Sequence, residues 1–269
     1  MCNEMNFYYK WFEDYLEKYL NCKEAHIFIN YELKKEHTFR VKDNILKIGE
    51  ALGLDKNSLK LCELIGLFHD VGRFKQYGEY GTFSDAVTGS HGRLSVDVLI
   101  EHKVLNNLNE EEKDIVLKAI DYHNYFTVPE DESEDIKLFS RLIRDADKLD
   151  AFYLDTDTSE NRKYDLGTLS CEKEYSEEIV KDIMASSQVD FTNIKYKYDR
   201  KLGILGLIFD LFYNEAYQVF QEHEYLERMF NQLPKDEKMQ KVYRHCEKYI
   251  SSKVISNKRK IKQREVNNG

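Results

Sequence analysis

Apolar residues recur at spacings of three and four along most of the chain, which predicts helices. In segment 6–20 these positions predict an amphipathic helix that packs on the rest of the protein: Tyr8, Trp11, Phe12, Tyr15, Leu16 and Tyr19. A second stripe ends before Gly53, a residue suited to a helix terminus, and its members are His37, Val41, Ile45, Ile48 and Leu52. This stripe predicts that His37 lies in the first turn of its helix, on the inward face.

The next apolar run, residues 59–68, has hydrophobic side chains on nearly every side and predicts a buried helix that segment 55–58 caps. It leads directly into His69-Asp70-Val71-Gly72-Arg73, so two side chains able to bind metal stand where a helix is expected to end. A buried carboxylate without a partner is costly. Asp70 is therefore expected to meet a cation or a metal ion.

Further polar side chains that could bind metal follow in the next segments. Six of the twelve glycines lie between Gly66 and Gly92, so this segment is predicted to be a loop region, and it contains His91. Residues 110–123 predict a helix with an acidic first turn and with His123 on its apolar face. A later stripe of inward-facing positions consists of Phe139, Ile143, Ala146 and Asp150. It predicts a packed helix that contains Asp147.

The C-terminal half continues the helical pattern. Residues 202–230 predict one long core helix, and no strand pattern extends beyond short tyrosine-rich alternations. We predict a single all-α domain over residues 1–256, with its core at about 25–155 and a helical extension over 156–256. Residues 257–269 are basic and are predicted to form a disordered tail.

Composition narrows the possible functions. The net charge of −9 disfavours a protein that coats nucleic acid, because phosphate binding needs clustered positive charge. Apolar runs are too short to cross a membrane, so a cytoplasmic protein is expected. The five cysteines show no C-x-x-C spacing and are expected to be reduced thiols.

Six residues with nitrogen or oxygen donors suited to divalent metals occur in a fixed order: His37, His69, Asp70, His91, His123 and Asp147. This set resembles the metal-binding signature of the HD superfamily, which is named for its histidine-aspartate dyad. The resemblance covers roughly residues 30–155, and segment 143–151 looks like the family's closing segment, with Asp147 as the last ligand. The remaining histidines have no such placement and are interpreted as structural or surface residues: His26, His102, His223 and His245.

The resemblance implies an HD-domain-like helical bundle with additional N- and C-terminal helices. It implies that His37, His69, Asp70 and Asp147 hold one metal ion. His91 and His123 resemble the branch that binds two ions, with Asp70 bridging them. Donors of these types suit manganese, iron, zinc, cobalt or nickel. Two neighbouring cations lower the pKa of a bridging water, which favours hydrolysis of a small phosphate ester or nucleotide.

The same resemblance suggests roles for individual residues. Asp70 would serve catalysis as the bridging ligand, and Arg73, where many relatives carry lysine, would contact substrate phosphate. Lys148 is a second phosphate candidate, although an ion pair with Asp147 or Asp150 would also explain it. Asp150 would orient a ligand.

Two alternatives stay open at this point: a mixed-valence di-iron oxygenase of the same superfamily, and a non-catalytic ligand sensor. The expected partner is a small phosphorylated molecule, and neither nucleic acid nor a membrane is expected.

Overall fold

The computed structural model describes the backbone of residues 2–21, 25–157 and 174–267. Every regular element in these ranges is a helix, so the predicted all-α fold is confirmed. The chain divides into two compact units, Met1–Asp147 and Lys148–Gly269. The single domain over residues 1–256 stays a prediction.

The first unit contains the helices that carry the candidate site. α2 packs along α3, α4 packs on α6, and α7 contacts both α3 and α6. The fully buried side chains of this unit include Phe12, Ile45, Leu64, Phe68 and Val116. The helix bounds are α1 Cys2–Leu20, α2 Ala25–Ala51, α3 Lys56–Phe68, α4 Val71–Tyr80, α5 Asp85–Thr88, α6 His91–Glu101, α7 Glu110–Tyr122 and α8 Glu134–Thr156. The boundary between the two units falls within α8.

The ends of α2 and the start of α3 follow local sequence signals only in part. α2 begins at Ala25, so the prediction that His37 lies in the first turn was wrong. Segment 25–36 contains no proline or glycine that would start the helix later. The predicted end is confirmed, because Gly53 has a φ of 75°. Asp55 caps α3 as expected, and its side chain accepts a hydrogen bond from the Ser58 amide at 2.8 Å.

The glycine-rich segment is largely helical, so the prediction of a loop region there was wrong. Gly66 and Gly72 instead permit close helix contacts. A Cβ on Gly66 would lie 2.7 Å from Lys42 Cα, and one on Gly72 would lie 2.6 Å from the Leu94 carbonyl carbon. Glycines at such positions let two backbones approach. They therefore bring α3 against α2, and α4 against α6.

The second unit is also helical within its described residues. The predicted long helix over 202–230 was wrong, because the chain is interrupted after Gly206 and again at Glu224, which has a φ of 52°. The Tyr217 hydroxyl donates to the carbonyl of Ile208 at 2.7 Å, and thereby satisfies a backbone group near the first interruption. The elements are α9 Glu177–Met184, α10 Lys197–Gly206, α11 Asn214–Glu222, α12 Tyr225–Phe230 and α13 Glu237–Asn267, with 3-10 turns at Phe191–Asn193 and Leu207–Asp210.

The C-terminal helix is longer than the sequence pattern predicts. α13 continues to Asn267, and the segment up to that residue contains no glycine or proline that would stop a helix. The disordered tail over residues 257–269 stays a prediction. No helix among the described residues is long and apolar enough to cross a membrane.

Replacing Gly72 with alanine should lower the free energy of unfolding by about 1–3 kcal/mol, because the added methyl group would overlap backbone atoms of α6. The matched control is Gly203→Ala, where the nearest atoms are 3.4 Å away in the Phe191 ring. Alanine is the better helix former, so this control should leave stability unchanged or raise it by up to about 1 kcal/mol. Urea denaturation would measure both effects, and equal losses in the two variants would contradict the close packing at Gly72.

Candidate metal centre

The six predicted ligands come from five places in the first unit, three where helices begin or end and two inside helices. His69 and Asp70 occupy the junction between α3 and α4, and His91 is the first residue of α6. His123 follows the last residue of α7. His37 lies inside α2, and Asp147 lies inside α8. All except Asp147 are buried, and the Asp147 side chain is 38% exposed.

A first group of donors forms around one oxygen of Asp70. His37 Nε2 lies 3.1 Å from Asp70 Oδ2 and 3.2 Å from His69 Nε2. His69 Nε2 is 3.4 Å from the same oxygen. Asp147 adds a second carboxylate at the edge of the group, with its Oδ1 3.4 Å from His37 Nε2. Three of these four residues could hold one ion between them: His37, His69 and Asp70.

A second group forms around the other oxygen of Asp70. His91 Nε2 lies 2.9 Å from His123 Nε2. Asp70 Oδ1 is 3.6 Å from His91 Nε2 and 3.8 Å from His123 Nε2. These three residues could hold a further ion. Asp70 thus belongs to both groups and offers a different oxygen to each.

The hydrogen bonds of the histidines decide which nitrogen faces the site. His69 Nδ1 donates to the Gly66 carbonyl at 2.9 Å, and His123 Nδ1 donates to the Ile120 carbonyl at 2.6 Å. His91 Nδ1 donates to Asp85 Oδ2 at 2.5 Å. A carbonyl or carboxylate oxygen only accepts, so Nδ1 carries the hydrogen and Nε2 presents a lone pair in each neutral ring.

This arrangement fits a metal ion. The Nε2 lone pairs of His91 and His123 point into a space where they lie 2.9 Å apart, and they would repel each other without a cation between them. Asp70 Oδ1 is buried beside them and has no hydrogen-bond partner among the described residues. A buried acceptor without a donor is costly. A cation bound by the second group would relieve both conflicts.

At neutral pH, His123 and Asp70 are in the protonation states that can bind a metal ion. Burial, together with the nearby His91, lowers the pKa of His123 to about 3, so this ring is neutral. Burial alone would raise the pKa of the Asp70 carboxyl. The charge of the Lys34 ammonium and the contacts with His69 and His37 outweigh that effect and hold the pKa well below its usual value. Asp70 is therefore ionised.

Two polar side chains that the sequence analysis did not assign complete the surroundings. The Lys34 ammonium forms an ion pair with Asp70 Oδ2. Asp85 accepts hydrogen bonds from His91 and from Asn124, the latter at 3.3 Å. Lys34 precedes His37 by one helical turn, a spacing that could have indicated it. No spacing pattern points to Asp85, because it enters from a separate short helix.

Arg73 lies beside the donor groups and is held by several acceptors. Its Nη1 donates to Asp85 Oδ1 at 2.9 Å, to Gln76 Oε1 at 2.8 Å and to the Phe83 carbonyl at 2.5 Å. Its Nε lies 3.6 Å from Asp70 Oδ1. Arg73 thus links the shared carboxylate to the aspartate that orients His91, and its predicted contact with substrate phosphate stays a prediction.

Lys148 and Asp150 belong to the second unit. Lys148 Nζ is 2.6 Å from Asp210 Oδ2 and 2.8 Å from the Asp210 carbonyl oxygen. Its ion-pair partner is therefore Asp210 and not one of the two neighbouring aspartates that the sequence suggested. Asp150 is fully buried. A phosphate contact by Lys148 and an orienting role of Asp150 stay predictions.

Comparison with known proteins identifies one match, which covers most of the first unit. Residues 35–151 match the family model described as HD domain. The matched range contains all six predicted ligands. Neither the curated proteins nor the solved structures give a match.

Removing the carboxylate of Asp85 should weaken metal binding by the second donor group. Without this acceptor the His91 ring loses the hydrogen bond that fixes its orientation, and losses of this type are about tenfold to a hundredfold in metal affinity. Asp85→Ala should show the full loss in a manganese titration by calorimetry. Asp85→Asn should show a smaller one, because an amide oxygen still accepts from His91.

A matched control for these variants is Asp97→Ala. Asp97 pairs with Arg93 at 3.2 Å on the surface of α6 and its side chain is 50% exposed. This variant should bind metal like the natural protein. Unchanged affinity in Asp85→Ala, or a loss confined to the first donor group, would contradict the role of Asp85.

Proposed function

Since residues 35–151 of this chain are an HD domain, we propose that the protein hydrolyses a small phosphate ester or nucleotide with the help of two metal ions. The HD domain belongs to a superfamily of metal-dependent phosphohydrolases. The observation that carries the proposal is the shared carboxylate of Asp70, which has two histidines beside each of its oxygens.

Two donor sets would hold the ions. His37, His69 and Asp70 Oδ2 would hold the first, with Asp147 as a further ligand, and His91, His123 and Asp70 Oδ1 would hold the second. Nitrogen and oxygen donors of this kind suit manganese, iron, zinc, cobalt or nickel. Bound ions of this class supply hydroxide at neutral pH and neutralise charge on a phosphoryl group.

Two cationic side chains beside the donor groups, Lys34 and Arg73, favour an anionic substrate. Burial keeps bulk water from most of the donor atoms, which strengthens electrostatic contacts there. Asp147 is the ligand most open to solvent, so we propose that substrate approaches beside it. Arg73 and Lys148 are the proposed phosphate contacts, with Arg73 suited to bidentate binding.

Metal stoichiometry of purified variants tests the two-ion proposal. The natural protein should hold two equivalents of metal, as measured by elemental analysis of protein purified without chelator. Asp70→Ala should lose both, because its oxygens serve both groups, whereas His91→Ala and His123→Ala should each lose about one equivalent. Two equivalents in His91→Ala would contradict the second ion.

His102→Gln is the matched control for the histidine variants. His102 packs its ring against Trp11 at 5.6 Å, outside both donor groups, so this variant should keep both ions. A loss of metal there would mean that the ligands are assigned to the wrong histidines.

Substrate hydrolysis is tested on the same preparations. Phosphate release from a panel of phosphate esters and nucleotides, with manganese or iron present, should occur in the natural protein and be abolished in Asp70→Ala. Two equivalents of iron with no phosphate release and an oxygen-dependent spectral change would contradict the hydrolase and favour the di-iron oxygenase.

A further inference from the structure

Lys34, a residue outside the predicted ligand set, contacts the shared carboxylate directly. Its ammonium pairs with Asp70 Oδ2, the oxygen that belongs to the first donor group. Lys34 lies one turn before His37 on the same face of α2, so both side chains reach the same place. The Lys34 side chain is 19% exposed, compared with 3% for Asp70. The Lys34 side chain is therefore more open to solvent than the carboxylate that it contacts.

Lys34 and a metal ion in the first group would compete for one oxygen. Asp70 Oδ2 lies 3.1 Å from His37 Nε2 and 3.4 Å from His69 Nε2, so an ion held by these three residues would use the same atom as the ammonium. Two cations on one carboxylate oxygen repel each other. Loading the first group should therefore move the Lys34 ammonium away from Asp70.

The two cations near Asp70 differ in how firmly they are held. Nη1 of Arg73 has three acceptors: Asp85, Gln76 and the Phe83 carbonyl. For the Lys34 ammonium, Asp70 is the ion-pair partner, and no second one exists among the described residues. A lysine ammonium is also a compact charge on a flexible stem that can turn to a new acceptor. Lys34 is thus the cation that metal binding would release.

We propose that Lys34 is a substrate-binding residue. In the metal-free protein its ammonium occupies Asp70 Oδ2 and so competes with the first metal ion for that oxygen. Once the metal is bound, the released ammonium contacts a phosphate oxygen of the substrate. The choice of phosphate rests on the proposed function. The Asp147 carboxylate lies at the edge of the first donor group with its side chain 38% exposed, so an incoming phosphate also meets negative charge there. A released ammonium nearby would offset that repulsion.

Lys34→Met tests both parts of the proposal, because it removes the charge and keeps the length of the side chain. Affinity of the metal-free protein for the first manganese ion should rise in this variant. Affinity of the manganese-saturated protein for inorganic phosphate should fall on the order of tenfold to a hundredfold, the range for a lost hydrogen bond to a charged group. Calorimetric titration measures both quantities.

Two further variants control for folding and for general loss of charge. Lys35→Met removes the same charge from the next position, which points to a different side of α2, and should leave both affinities unchanged. Lys34→Arg keeps the positive charge and should retain most of the phosphate affinity.

Specific outcomes would overturn the proposal. Unchanged phosphate affinity in Lys34→Met would show that Lys34 does not meet the anion. Weaker manganese binding in that variant would show that Lys34 supports the position of Asp70 instead of competing with the ion.

The phosphate titration is independent of turnover, so the two proposals can fail separately. If the natural protein hydrolyses no ester but Lys34→Met still weakens phosphate binding, the proposed function fails and the role of Lys34 stands. If the natural protein hydrolyses an ester and Lys34→Met does so with equal KM and kcat, the role of Lys34 fails alone.

Discussion

The buried carboxylate of Asp70 is the group on which the candidate site depends. An ionised side chain that is 3% exposed needs compensating charge, and the fold supplies it from several directions. Histidines lie beside both oxygens, and Lys34 pairs with one of them. The other oxygen has no hydrogen-bond donor among the described residues. A carboxylate in this setting is stable only with a cation nearby, so the site favours cation binding.

The position of this carboxylate follows from how the helices meet. His69 ends α3 and Asp70 precedes α4, so both side chains leave the backbone at a junction instead of along a helix face. Gly66 and Gly72 stand on either side of the junction, and their lack of a side chain lets α2 and α6 approach. α2 contributes His37, and α6 contributes His91. The same close packing that stabilises the unit therefore places histidines beside both oxygens.

Much of this histidine and aspartate cluster could be predicted from the sequence, because its members lie where a local pattern ends or where an apolar stripe contains a polar residue. His123 falls on the apolar face of a helix whose start is marked by acidic residues, and the structure places it just past the end of α7. The resemblance to the HD superfamily joined these separate signals into one ordered set.

Other features could not be predicted, because they depend on contacts between distant segments. Asp85 reaches His91 only when α5 folds beside α6, and no periodicity encodes that approach. Gly66 and Gly72 suggested a loop by composition but serve helix packing. The apolar pattern over 202–230 continues across the interruptions of the helix, so hydrophobic spacing does not reveal them. At the first interruption the Tyr217 hydroxyl donates to backbone carbonyls, a contact that the spacing cannot predict.

The most direct measurement of the central claim is anomalous X-ray diffraction from crystals of the manganese-loaded protein. Two anomalous peaks should lie on opposite sides of the Asp70 carboxylate, one beside His37 and His69 and the other beside His91 and His123. A single peak, or two peaks that do not share Asp70, would contradict the account.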